Sequence, residues 1–275
     1  MSPSETATTV TRPLPARPSA GRHAVALFAS ELHLVFGRAR TWVTLAVLAG
    51  VPVLVGVAIR LSGSEGGTEG FIGQVAGNGF FLIVASLALS LPFFLPTAVT
   101  VVSGESLAGE ASLGTLRNML TAPAGRSRLL AAKMVALGVF CLTATMVIWL
   151  SGLIAGVVLF PIGDVTMLSG NTVSLAEGLL RALGIAGLIA ASMLGLAAMA
   201  ATFGAFIVLG ILGAIPQIDV IHPWLLMYGW TSFADLLRDP PYWDAIVRNL
   251  WIQAAYLAVF YAAAWARLTS RDING

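Results

Sequence analysis

The chain has 275 residues, of which 57% are hydrophobic and 10% charged, with a mean hydropathy of +0.89. A water-soluble domain carries about a quarter charged residues, so this composition excludes a globule clothed in polar side chains and specifies an all-α polytopic membrane protein. One cysteine, Cys141, excludes an intrachain disulfide and a cysteine-built metal cluster, and the net charge of +2 matters less than where the charges lie.

In chain order, residues 1–21 are rich in Pro, Ser, Thr and Arg and have no apolar core, which reads as a disordered cytoplasmic tail without a cleavable signal. The remainder, 22–275, reads as a single transmembrane domain. Residues 22–40 form an amphipathic helix lying in the membrane surface. Val25, Phe28, Leu32, Val35 and Phe36 fall on one face, and His23, Ser30, His33, Gly37 and Arg40 fall towards the other. Two histidines ten residues apart on a wet face do not make a metal site.

A crossing helix needs roughly 20 apolar residues. Six spans satisfy this, at about 41–61, 78–103, 134–160, 180–200, 201–216 and 248–266. The fourth and fifth come from one uncharged run divided near Ala200–Thr202; one long tilted helix is the competing reading. Eleven Lys and Arg fall on the side of the termini and four on the other, which places both termini in the cytoplasm of a cell-membrane protein. None of the six cores contains Asp, Glu, Lys or His, an argument against a proton-coupled carrier or a membrane enzyme.

The second span carries Ser86, Ser90, Phe93, Thr97 and Thr100 at steps of three and four, with Pro92 and Pro96 among them. Two readings stand. Hydroxyls and neighbouring helices satisfy carbonyls freed by the prolines and tighten packing, or this face lines a passage for a polar group.

The cytoplasmic loop 104–133 contains GEASLGTLRNMLTAPAGRSRLLAAKM. Leu113, Leu116 and Leu120 form a short apolar stripe, Pro123 and Gly125 break the helix, and Ser127 is placed to cap a new helix running into the third span. Arg126, Arg128 and Lys133 are expected near anionic headgroups. Outside, residues 217–247 combine six aromatics with Asp219, Asp235, Asp239 and Asp244, a composition suited to the membrane interface. Asp219 and His222 are too few to hold a metal.

The loop resembles that of type-2 ABC exporter permeases, the membrane subunits of ATP-binding-cassette transporters. Their pattern sets an acidic residue before a Gly-Thr pair, then a leucine-rich turn, a t-x-P break, one or two arginines and a lysine opening the next span. Glu110, Gly114, Thr115, Leu116, Leu120, the TAP at 121–123, Arg126, Arg128 and Lys133 supply it over about 25 residues; the loop is poorer in acidic residues than the pattern. The resemblance implies six spans, an N-terminal elbow helix and a coupling helix, Gly109 to Pro123, seated in a cleft of an ATPase subunit. Leu113, Leu116 and Leu120 would be its apolar knob, Glu110 and Arg117 its polar contacts. It also implies short helices in 217–247 capping the exit.

The chain itself binds no cofactor. Its one lysine, Lys133, precedes Met134, so the phosphate-cradling G-x-x-x-x-G-K-[ST] loop is absent and ATP with its Mg belongs to the partner. The implied partners are a separate ATPase in two copies, a second membrane subunit (this chain or a relative) and the lipid bilayer, with no nucleic acid. The expected task is export of an amphipathic or hydrophobic compound by a non-enzymatic permease; the alternative is an ATP-independent channel or secondary carrier.

Overall fold

The computed structural model describes residues 20–61, 71–112, 126–167, 169–200 and 222–270. Residues 1–19 of the expected tail, loop residues 113–125 and the fifth span at 201–216 lie outside them. Eight α-helices are described: α1 Ala20–Phe36, α2 Ala39–Leu61, α3 Phe71–Gly77, α4 Phe80–Ser90, α5 Phe94–Ser112, α6 Arg126–Leu159, α7 Leu175–Ala200 and α8 Trp243–Ser270. A two-stranded hairpin, β1 Val165–Thr166 and β2 Thr172–Val173, joins α6 to α7, and two 3-10 helices, His222–Trp224 and Trp230–Leu237, precede α8. Among the described residues four helices (α2, α6, α7, α8) are long and apolar enough to cross a membrane, and α4 with α5 makes a fifth if the pair is one span.

The junction of α1 and α2 is rigid because side chains complete it. A helix leaves its last carbonyls without partners. Here Thr41 Oγ1 donates to the Val35 carbonyl at 2.6 Å and Trp42 Nε1 to the Phe36 carbonyl at 2.8 Å. Phe28, Leu32 and Phe36 pack against the core, Val35 is buried, and Val25 at the far end of the expected apolar face is exposed.

The expected second span, 78–103, is two helices bent by 54° at Leu91–Phe93. Pro92 and Pro96, four residues apart, remove the hydrogen bonds to Ala88 and Pro92 in consecutive turns, and each ring crowds the carbonyl four residues back. By contrast, α2 with Pro52 alone remains one helix. After the bend α5 continues to Ser112, so Gly109 to Ser112 extend this helix and do not begin a separate one. α6 is likewise continuous from Arg126, which puts Ser127 inside its first turn.

Small residues let the helices at the centre approach. Gly79 and Gly156 meet backbone to backbone, and a Cβ on Gly152 would lie 3.1 Å from the Ile83 Cα. Both contacts fit one antiparallel register between α4 and α6. Phe80, Leu82, Ile83, Phe140, Ile148 and Met193 fill the surrounding core. Leu54, Leu61, Val158, Leu180 and Trp251 stay exposed, as a surface solvated by hydrocarbon requires.

A polar row on α8 holds the segment before it. Gln253 Nε2 donates to the Leu226 carbonyl at 2.8 Å and to Asn249 Oδ1 at 3.1 Å, while the Tyr256 hydroxyl donates to the Trp224 carbonyl at 3.1 Å. Trp230 and Phe233 are buried under this cap, whereas Trp224, Tyr228, Tyr242 and Trp243 remain exposed, so the expected belt of aromatics divides into core and rim.

Gly156→Ala is expected to destabilise the bundle by roughly 1–3 kcal/mol, the usual cost of overpacking, because the new methyl collides with the Gly79 carbonyl. Gly77→Ala, where a Cβ meets nothing within 4 Å, serves as the control. Thermal unfolding in detergent followed by size-exclusion decides: equal midpoints for the two variants would refute the close-approach account.

Candidate functional site

The end of the bundle that carries the 113–125 loop concentrates charge. Lys133 Nζ donates to Glu31 Oε2 at 2.9 Å, and the two side chains are only 5% and 2% exposed. This corrects the expectation that Lys133 reaches the headgroups: α1 lies against α6 and shuts the ammonium in. A buried charge is tolerated only when it is paired, and removing one partner of such a pair costs about 3–5 kcal/mol. Arg38 at the α1–α2 turn binds Glu105 of α5 at 3.3 Å, and Arg40 binds the same carboxylate through its other oxygen. These two arginines are 39% and 69% exposed, so solvent screens their bonds.

Of the residues expected to meet an ATPase, Glu110 falls within α5. Leu113, Gly114, Thr115, Leu116, Arg117, Leu120 and Pro123 lie outside the described residues. What the structure supplies is their footing: α5 leads into the loop and α6 leads out of it.

The five residues expected to share a lining face are separated by the bend. Ser86 and Ser90 are buried inside the bundle, whereas Phe93 is 74% exposed and Thr97 is exposed. Phe93 and Thr97 line a groove of about 740 Å³ with Val43 and Val47 of α2 and Pro92. Ser86 Oγ donates to the Leu82 carbonyl at 2.7 Å, four residues back in its own helix. Ser90 Oγ and Thr100 Oγ1 are buried without a hydrogen-bond partner. The hydroxyls at 86, 90 and 100 therefore do not cap the carbonyls of Ala88 and Pro92, which the packing reading leaves to neighbouring helices. Continuing the α4–α6 register sets Ser90 level with Thr145, whose hydroxyl donates to the Cys141 carbonyl at 3.1 Å.

The opposite end is closed by a polar clasp that sequence reading missed. Arg181 of α7 donates to Glu177 at 2.5 Å, to Asp239 at 3.4 Å and to the Arg238 carbonyl at 2.7 Å. Asn171 in the hairpin donates to the other Asp239 oxygen at 3.1 Å, and the Asp239 N–H donates to Ser169 Oγ at 3.1 Å. The hairpin, α7 and the turn before α8 are thereby joined at one carboxylate. Glu177 and Arg181 at i, i+4 were the visible signal; their partners come from 58 residues further along the chain. Among the described residues no group of three or more His, Cys, Asp or Glu is placed to hold a metal.

With this geometry in place, comparison with protein families gives one finding: residues 38–217 match the model of the ABC-2 family transporter protein. No curated protein matches the chain. The match spans more than half of the sequence, and the chain belongs to that family.

The hydrogen bond from Asn171, followed by that from Arg181, holds the Asp239 carboxyl below the usual carboxylate range. A carboxylate with a depressed folded-state pKa stabilises the fold above its unfolded value, about 3.9. That contribution is lost as the pH falls through the lower folded value. Asp239→Asn is accordingly expected to lower the unfolding midpoint at pH 7 and to leave it unchanged at a pH below the folded value. A midpoint that falls equally at both pH values would refute the clasp.

Proposed function

We propose, from its membership of this family, that the chain is the permease subunit of an ABC exporter whose ATP is hydrolysed on a separate subunit. The family match carries the reading, since it encloses the loop and both helices that lead into and out of it. Membership implies an assembly with a partner ATPase. On this reading the loop end and both termini face the cytoplasm. Two ATPase copies dock on the segment from Gly109 to Pro123, and a second membrane subunit completes the assembly. Leu113, Leu116 and Leu120 seat in the ATPase cleft with Glu110 and Arg117 beside them, and closure of the nucleotide-bound motors pushes on this lever.

The cargo is an amphipathic or hydrophobic compound. What favours it is the chemistry of the second span: hydroxyls at Ser86, Ser90, Thr97 and Thr100, the Phe93 ring, no fixed charge, and a mostly apolar groove beside the bend. The Ser90 and Thr100 hydroxyls are buried without internal partners, so they meet a polar cargo group where the bundle opens around them.

Co-expression with candidate ATP-binding-cassette proteins and affinity capture through this chain tests the docking. Leu116→Asp with Leu120→Asp is expected to weaken capture at least about tenfold, since buried anchors at interfaces are commonly worth 2 kcal/mol or more. Undiminished capture would refute the lever, and transport by vesicles containing this polypeptide alone would favour the channel or carrier. For the lining, Ser90→Ala with Thr100→Val is expected to preserve stability while changing the transport rate of a fluorescent amphiphile. Unchanged transport would return both hydroxyls to packing.

A further inference from the structure

We infer that α1 and the turn behind it form a strap across both feet of the 113–125 loop, with Glu31 and Lys133 as the positioning residues that make the loop and α6 move with α1. The inference rests on the coupling role proposed for the loop and names the device that receives its motion. Two observations place it. Glu105, held by Arg38 and Arg40, lies seven residues before α5 ends at Ser112. Lys133, held by Glu31, lies seven residues after α6 begins at Arg126. Seven residues of helix are about 10 Å, so one short unit grips both helices about that far from the 113–125 segment. That unit is stiff, because Thr41 and Trp42 bond the last carbonyls of α1 and fix it to α2.

The two grips differ in kind. Glu31 and Lys133 are shut away from solvent, where charges attract strongly and neither is released without a large desolvation cost. Arg38 and Arg40 are partly exposed, and each can exchange Glu105 for water or a lipid phosphate. The exit leg is therefore pinned and the entry leg is slack. A push on the loop carries α6 and α1 as one body and is taken up at Glu105. An apolar pair would hold α1 about as firmly but would not fix its register along α6, which the directional bond from Lys133 to Glu31 does.

The test uses the full-length chain in nanodiscs of phosphatidylethanolamine and phosphatidylglycerol, with Cys141→Ala and spin labels at Leu34→Cys and Ala131→Cys, both exposed positions on α1 and α6. The distance between labels is expected to be single and narrow. Glu31→Gln should broaden it or add a second distance, and the exchange Glu31→Lys with Lys133→Glu should restore it. Lys133→Arg, which keeps the charge if Glu31→Gln does not fold, should leave it narrow. A distribution unmoved by Glu31→Gln, or one broadened beyond rescue by the exchange, overturns the strap.

A second arm adds the captured ATPase and ATP. Glu31→Gln is expected to retain capture yet cut the ATP-driven displacement of the α1 label against a label on α8 by about threefold or more, the range of mutations that weaken coupling. Full displacement with capture intact overturns the strap and leaves the docking reading standing. If the unmodified chain captures no ATPase, the docking reading falls, and the distances in the permease alone still decide the strap.

Discussion

One buried ion pair sets the geometry of the loop end. Glu31 and Lys133 come from elements 102 residues apart and meet at 2.9 Å with almost no solvent contact. Neither charge is affordable alone in that setting, so the position of α1 along α6 is fixed to within a hydrogen bond. The Phe36 and Phe140 rings, 6.3 Å apart, pack in the same α1–α6 contact. The pair and these apolar contacts together make the surface helix part of the bundle and not a float on it.

The same accounting of polar groups explains the rest of the architecture. Lipid offers no hydrogen bonds, so backbone groups must be satisfied inside the protein. Where Pro92 and Pro96 prevent this, the span bends and a groove forms beside the break. Where the chain leaves helical form before α8, Gln253 and Tyr256 supply donors to its carbonyls, and the Arg181–Asp239 clasp ties that segment to the hairpin. The irregular backbone before α8 is thus found where side chains of other elements reach it.

On the function proposed above, the two ends of the bundle divide the labour. The chain belongs to the ABC-2 family and, on the function proposed for it, moves by force applied by a separate ATPase. The loop between α5 and α6 is flanked by the densest interhelical charge among the described residues, and the far end is closed by a separate polar network. On this reading force enters at one end and the polar network holds the other, with a bent, hydroxyl-bearing helix between.

Composition and the lengths of the apolar runs determined by themselves that this is a helical membrane protein, and they located α2, α6, α7 and α8 to within a few residues on most sides. Hydropathy and helix length are local properties, so they survive reading one segment at a time. Pro92 and Pro96 were visible too, but a local reading does not say whether neighbouring helices straighten or bend a proline-bearing span; α2 and the α4–α5 pair take the two outcomes. Lys133 looked like a headgroup contact because its sequence neighbours are basic, and only the arrival of α1 made it a buried partner of Glu31. Gln253 and Tyr256 stood in the sequence at a step of three without a stated purpose, because the carbonyls they bond belong to residues more than twenty positions earlier. Tertiary structure alone decided these pairings, since the energy of burying a polar group depends on which element covers it, and that is a property of no single stretch of chain.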